Sequence, residues 1–266
     1  MSASLPPLPV MLRQLTRTDP TALFGRLLRL PLRLVPRGLV VRIPTGLNRG
    51  SRWIVGSAIH RCWLGTYESE KQDFVARLVK PGSTIWDIGA NVGFYTLAFA
   101  RLTGPTGRVL AFEPLAANAA FLLRHLELNA VTNVQLLQVA LYGATDLLGF
   151  SATGASAVGM LAGRGLSYLV PALSPAAVLA ALPNAGPQLL KLDIEGAEGA
   201  VLTAFQPILE QYSPDILLAL HGRAQEEQCV RLLRDIGYTL TYLDGQPVVH
   251  NRPLSSDEIF ATRPSR

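Results

Sequence analysis

The eleven residues Trp86-Asp87-Ile88-Gly89-Ala90-Asn91-Val92-Gly93-Phe94-Tyr95-Thr96 run from an apolar stretch into an acid and two closely spaced glycines, then out into a second apolar stretch. This is the pattern of a strand, a tight loop and a helix built around a nucleotide. Gly89 and Gly93 let the backbone turn and approach a ligand where a Cβ would collide. A dinucleotide loop of the G-x-G-x-x-G kind uses three glycines to hold a pyrophosphate at a helix N-terminus. This chain has two, and it places a carboxylate, Asp87, ahead of the turn. A carboxylate there would repel a pyrophosphate but accept hydrogen bonds from a cationic amino-acid group. Val109-Leu110-Ala111-Phe112 reads as the next strand and ends at Glu113, 26 positions after Asp87, where a ribose diol would be held. An acid before the loop, two glycines and a second acid at the next strand end together fit S-adenosylmethionine, whose sulfonium, ammonium and ribose all favour such partners.

Methyl transfer from a sulfonium is an in-line displacement at an already activated carbon, so much of the rate comes from holding donor and acceptor close and aligned. What remains is to help an alcohol lose its proton. Asp193 and Glu195 stand at and just past the end of a strand beginning at Leu189, and either is a candidate general base. His221 ends the following strand and competes for the same role, because an imidazole titrates near neutral pH. Glu198 falls in the first turn of a helix, where an acid stabilises the macrodipole. Asp193 and Glu195 are also hard oxygen ligands for a divalent cation, but no third acid is placed beside them, so no metal is assigned.

Further motifs extend the pattern. Leu64-Gly65-Thr66-Tyr67-Glu68 precedes the glycine loop; Ala111-Phe112-Glu113-Pro114, Leu128-Asn129, Asn133-Val134, Val139-Ala140-Leu141 and Lys191-Leu192-Asp193-Ile194-Glu195-Gly196-Ala197-Glu198 follow it. In this order the sequence resembles FkbM-family class I methyltransferases from about Val40 to the C-terminus. The resemblance implies a methyltransferase dependent on S-adenosyl-L-methionine, usually acting on an oxygen of a sugar, polyketide or other small natural product. It also implies cofactor contacts at Glu68, Asp87, Gly89, Asn91, Gly93, Tyr95, Thr96, Glu113, Ala140 and Asp193, with Asp193, Glu195 or His221 serving a hydroxylated acceptor. Two positions depart from the family pattern. Tyr142-Gly143 stands where a small residue and an acid are usual, on the adenine side. Ala172-Leu173-Ser174-Pro175 stands where a Leu-Asp pair is usual, on the acceptor side. These departures motivate a second expectation, a catalytically silent scaffold or partner protein that binds the cofactor.

The elements that must position these groups alternate along the chain. Val40 to Ile43 and Trp53 to Val55 read as a hairpin, Glu70 to Lys80 as a helix stopped by Pro81-Gly82, and Thr84 to Trp86 as the first parallel strand. A helix to Leu102, a strand over 108–112, a helix from Ala116 to Asn129 and a strand from Asn133 to Ala140 follow. Residues 143–186 lose the pattern in Ala, Gly, Ser and Pro and read as a substrate-facing loop or hairpin. Order returns with strand Leu189 to Leu192, a helix from Ala197, strand Ile216 to Leu220, helix Gln225 to Ile236, and strands Thr239 to Leu243 and Ile259 to Thr262. Such alternation predicts an α/β protein with a Rossmann-like, doubly wound, seven-stranded sheet and ligands at the carboxyl ends of its strands. Residues 1–66 are expected as a basic arm with an accessory hairpin, and 67–266 as the methyltransferase domain.

At 266 residues and 49% hydrophobic, the chain can bury one large core with a small accessory region. No run reaches the ~20 apolar residues of a membrane span, and prolines and arginines interrupt the N-terminus where an export signal would be continuous. Cys62 and Cys229 have no motif spacing and read as reduced thiols, which suits the cytoplasm. Residues 1–52 hold nine arginines against one acid, Asp19, while the remainder carries 15 bases against 18 acids. Pro31 and Pro36 break any long amphipathic helix in this arm, so it is read as covering its own core or the partner in a homo-oligomer. Nucleic acid is not expected as a partner. Contact with an anionic membrane, as for an enzyme of lipid-linked glycans, is kept as a less favoured alternative.

Overall fold

The computed structural model describes residues 32, 34–153, 158–161, 168–194, 196–249 and 253–263. An antiparallel hairpin, β1 (Val40–Arg42) and β2 (Arg52–Ile54), comes first, followed by helices α1 (His60–Leu64) and α2 (Ser69–Leu78). Strand β3 (Thr84–Ile88) leads through the glycine loop into α3 (Phe94–Thr103), then β4 (Arg108–Phe112), α4 (Ala116–Leu128) and β5 (Val134–Leu137). A short strand β6 (Ala140–Leu141) opens an insertion of β7 (Asp146–Thr153), β8 (Val158–Leu161), β9 (Tyr168–Leu173) and helix α5 (Pro175–Ala181). The chain then gives β10 (Leu189–Leu192), α6 (Glu198–Tyr212), β11 (Asp215–Ala219), α7 (Arg223–Asp235), β12 (Thr239–Tyr242) and β13 (Glu258–Thr262).

Seven of these strands form one sheet in the order β12-β13-β11-β10-β3-β4-β5, parallel except for β13, which runs antiparallel to both its neighbours. From β3 the chain winds outward to β5 and then jumps back to β10 on the other side of β3. That reversal is where a doubly wound sheet opens a crevice. The central strands are buried on both faces and so read as near-continuous apolar runs. Period-two alternation sorts their side chains. Trp86, Leu110, Phe112, Leu190, Leu192 and Leu218 meet α5, α6 and α7 on one face. Ile85, Val109, Ala111, Leu189 and Leu217 meet α2, α3, α4 and the hairpin on the other.

The strand expected over Asn133 to Ala140 is divided. β4 ends at Phe112, paired with Leu137, so β5 has no neighbour beyond that point; the chain turns away and Ala140–Leu141 pairs instead with β9. Residues 143–186, expected as a loop or hairpin, hold most of a second, four-stranded sheet in the order β6-β9-β7-β8, together with α5. Ser174 caps α5 by accepting a hydrogen bond from the Ala177 amide at 3.2 Å, with Pro175 at the first helical position.

The hairpin is tied to the glycine loop by one histidine. His125, fully buried on α4, stacks on Trp53 at 3.9 Å and accepts from the Ile54 amide at Nε2, while its Nδ1 lies 2.8 Å from the Val92 carbonyl. These partners require a neutral ring carrying its proton on Nδ1. Burial lowers its pKa to about 4, the Val92 bond opposing only in part. Above pH ~6.5 folded and unfolded chains both hold neutral imidazole and the contribution of this ring to stability is complete. Between ~6.5 and ~4 the unfolded chain takes up a proton that the folded protein refuses, so stability declines with falling pH, by about 3 kcal/mol in all. Denaturant unfolding followed across that range should show the loss, and His125→Gln should flatten it.

Candidate active site

The carboxyl ends of β3, β4 and β10 open onto a cleft of about 350 Å³ at the reversal of strand order. Of the residues singled out from sequence, Glu68, Gly89, Asn91, Tyr95, Glu113 and Ala140 line it, as do Asp193 and His221. Asp87, Gly93 and Thr96 do not. Glu195 lies outside the described residues, as does most of the basic arm.

The placement of Asp87 corrects the expectation of a direct contact with the ligand. β3 continues through Ile88 rather than ending at Trp86, so alternation turns Asp87 to the face of Ile85, beneath α3. The carboxylate is fully buried, accepts a 2.6 Å hydrogen bond from the Thr96 hydroxyl, and lies 3.3 Å from the ammonium of Lys191, its cross-strand partner on β10. Lys191 in turn donates to the carbonyl of Gly89 at 2.9 Å. Asp87 and Thr96 therefore support the loop from below. Gly93 also acts from behind, entering α3 with φ 90° and packing on Leu122.

Gly89 has φ 77°, and a Cβ there would collide with the backbone carbonyl of Asp193. Glycine at this position lets the loop after β3 lie directly against the loop after β10. Asn91 adopts φ 50°, a left-handed conformation that asparagine tolerates, and its side chain accepts from the Val92 amide at 2.7 Å. Glu113 braces this turn. Its Oε2 accepts from the Asn91 amide at 2.8 Å and its Oε1 from the Leu115 amide at 2.9 Å. Burial raises its pKa to about 6 against the opposing effect of these bonds.

The opposite wall holds a charged cluster that sequence spacing does not announce. Lys71, buried on α2, pairs with Glu68 at 3.2 Å and with Glu258 at the start of β13. Burial alone would lower the Lys71 pKa, but Glu68, Glu258 and Asp193 outweigh it and leave it raised. Glu258 is raised, since burial exceeds the help from Lys71. The Tyr95 hydroxyl donates to Glu68 at 2.9 Å, and burial beside Glu68 lifts the pKa values of Tyr67 and Tyr95 far above the usual tyrosine range. Lys191, Tyr67 and Glu258 line the cleft without having been named as site residues, and Tyr142, noted as a departure on the adenine side, lines it too. A signal for Lys191 existed: a lysine inside Leu-Leu-Lys-Leu, a fully buried strand, is rare unless paired.

Asp193 and His221 meet at the mouth, each a little over one quarter exposed, with Asp193 Oδ1 3.8 Å from His221 Nε2. Burial would raise the Asp193 carboxyl, but the ammonium groups of Lys191 and Lys71, together with His221, hold it below the usual carboxylate range. His221 Nδ1 lies 2.7 Å from Oε1 of Glu198. Cys62 lines the cleft, and burial pushes its thiol up to about 12, as it does Cys229; both are free cysteines. Among the described residues no group of three or more His, Cys, Asp or Glu side chains is arranged to hold a metal ion, and no helix is long and apolar enough to cross a membrane.

The sequence matches the Methyltransferase FkbM domain over residues 87–246, which spans the glycine loop, Glu113, Asp193 and His221. The chain belongs to the FkbM methyltransferase family. S-adenosyl-L-methionine is the cofactor of this FkbM protein. Similar solved structures include the FkbM methyltransferase of Methylobacillus flagellatus KT, at 15% identity and TM-score 0.48 over 77% of this chain. The match spans 55% of that protein, so this chain accounts for about half of its length. A SAM-dependent O-methyltransferase of Thermotoga maritima matches at 15% identity and TM-score 0.46 over 86% of this chain and 79% of that one. Aeropyrum pernix fibrillarin, solved with natively bound S-adenosyl-L-methionine, matches at 16% identity and TM-score 0.42 over 69% of this chain and 67% of that one. No curated protein sequence matches the chain.

In this FkbM protein, removing one member of the buried Asp87–Lys191 pair strands the other charge. Lys191→Met should therefore cost about 3–5 kcal/mol in chemical denaturation. Asp87→Leu combined with Lys191→Met should recover most of that stability, because both charges leave together, while cofactor binding stays impaired through loss of the bond to Gly89.

Proposed function

We propose that this FkbM protein transfers the methyl group of S-adenosylmethionine to a hydroxyl oxygen of a small natural product such as a sugar or polyketide, with His221 taking the hydroxyl proton. The observation that carries the proposal is the arrangement at the cleft mouth, where an accessible imidazole stands beside a carboxylate held ionised. A base works best when its pKa lies near the operating pH. Asp193, held below the usual carboxylate range by Lys191, is too weak a base for an alcohol, which leaves the imidazole of His221 as the base at the mouth. Asp193 instead supplies negative potential to the cationic donor and to the imidazolium formed when the proton is taken.

The residues present suit the cofactor. When bound, it supplies a methyl group already activated on sulfur. Glu113 offers a carboxylate to the ribose hydroxyls, and the turn from Gly89 to Asn91 lines the cleft beside it. Glu68, fixed by Lys71 and Tyr95, faces the amino-acid end as a second anion. Ala140 and Tyr142 add a mostly apolar wall suited to a purine. Tyr142 fills the position where the family pattern has a small residue, Gly143 leaves the adenine side without the acid of that pattern, and Ser174 caps α5 where the pattern has an Asp. A cytoplasmic location belongs to the same proposal, in keeping with two buried, free thiols.

Calorimetric titration with S-adenosylmethionine and with its demethylated product, followed by mass spectrometry over a panel of hydroxylated acceptors, tests this directly. His221→Asn should lower turnover by about 10²–10⁴-fold while leaving cofactor affinity unchanged. Cofactor binding with no transfer to any acceptor would favour a silent scaffold instead. Glu113 sets a further expectation. Its carboxyl takes up a proton as pH falls through about 6 and the ribose then loses an anionic acceptor, so the Kd for cofactor should be flat above pH ~7 and weaken by up to about tenfold per unit below ~6. Glu113→Gln should be weak and largely independent of pH.

A further inference from the structure

Glu198 opens α6, where an acid ordinarily serves the helix dipole from a solvated position. Here it is fully buried and does not line the cleft. Its Oε1 accepts from the Gly196 amide at 3.0 Å and lies 2.7 Å from Nδ1 of His221, while its Oε2, also buried, has no hydrogen-bond partner among the described residues. The nearby Cys229 thiol is pushed up to about 12 by burial and by the Glu198 charge, so it stays neutral beside the carboxylate. Burying a carboxylate for a helix-dipole gain alone is a poor exchange, because desolvating an anion costs more than that gain returns. The partner that repays the burial is the imidazole.

We propose that Glu198 is a positioning residue that fixes the tautomer and direction of His221, a role that rests on reading His221 as the base. An oxygen of an ionised carboxylate accepts hydrogen bonds and cannot donate, so a ring nitrogen 2.7 Å away must carry a proton. The neutral ring is then protonated on Nδ1 and holds its lone pair on Nε2. Nε2 is the nitrogen on the side of Asp193, which lines the cleft. When an acceptor hydroxyl is placed there, its O–H bond breaks, the N–H bond forms on Nε2, and the electron pair stays on the oxygen that attacks the methyl carbon. The imidazolium that results lies between two carboxylates, Glu198 at Nδ1 and Asp193 at 3.8 Å from Nε2, and returns its proton to solvent through the open mouth. Without Glu198, Nδ1 loses this acceptor and the ring can take the Nε2–H tautomer that isolated imidazoles prefer, which has no lone pair on the cleft side.

The test is a two-bond nitrogen–proton NMR correlation on the full chain labelled with ¹⁵N-histidine, at a pH high enough for neutral rings. The His221 signals are identified by their loss in His221→Asn. Wild-type protein should show a protonated Nδ1 and an unprotonated Nε2 at His221, and Glu198→Ala should convert it largely to the Nε2–H form. Glu198→Gln, which retains an oxygen acceptor, should keep the wild-type tautomer. With an acceptor from the screen above, Glu198→Ala should lower kcat on the order of 10²-fold or more, with cofactor Kd and acceptor KM little changed. A wild-type His221 in the Nε2–H form would overturn the proposal even if Glu198→Ala failed to fold, as would an unchanged tautomer in a folded Glu198→Ala protein. Full turnover in His221→Asn would instead overturn the assignment of His221 as the base, and the wild-type tautomer would still report on Glu198.

Discussion

A single buried ion pair governs the centre of this protein. Asp87 and Lys191 face each other across β3 and β10 at the point where the strand order reverses, and both are removed from water. Neither could occupy its place alone, because an isolated charge in such surroundings costs several kcal/mol. Together they are satisfied by Thr96 on one side and the Gly89 carbonyl on the other, so the pair links sheet, helix α3 and cofactor loop into one unit. A pair of this kind adds little net stability over apolar residues of the same shape. What it does is hold the loop carbonyl down and hold Asp193, two residues beyond Lys191, in the ionised state.

The acids around the cleft are chemically alike and electrostatically distinct. Asp193 is held low by two lysines, Glu113 is raised by burial, and Glu258 is raised although Lys71 opposes the change. Pushing similar groups apart in this way lets one fold assign different tasks to them. The separation arises from topology. Lys191 belongs to β10 and lines the cleft where the sheet reverses, and Lys71 belongs to α2 and acts from behind through Glu68 and Glu258, where α2 lies against β13.

Much of this was legible in the sequence. β4 and β10 fall where alternation and apolar runs place them, and the hairpin, α3 and α4 lie within a residue or two of expectation. The acids at strand ends, Glu113 and Asp193, do line the cleft. Asp87 was misread for a local reason: placing the strand end two residues early at Trp86 aims the carboxylate at the ligand, whereas continuation through Ile88 turns it into the core. The insertion between β5 and β10 was illegible because Ala, Gly and Ser carry little periodicity, although its strands pair in register. Lys71 and Glu258, 187 positions apart, could not be paired from spacing at all.

The buried pair also constrains the order in which the protein can assemble. Gly89 precedes Lys191 by 102 positions, and the two are joined only when β10 enters the sheet beside β3. Until then Asp87 must remain hydrated, since no other cation pairs with it among the described residues. During synthesis, β3, β4 and the helix between them therefore emerge as a half-sheet with a wet seam at its edge, and the cofactor loop lacks the Lys191 bond to its Gly89 carbonyl. Only after the chain has passed residue 192 can that seam dry, so this nucleotide-binding motif, encoded in the first half of the sequence, becomes competent through residues made in the second.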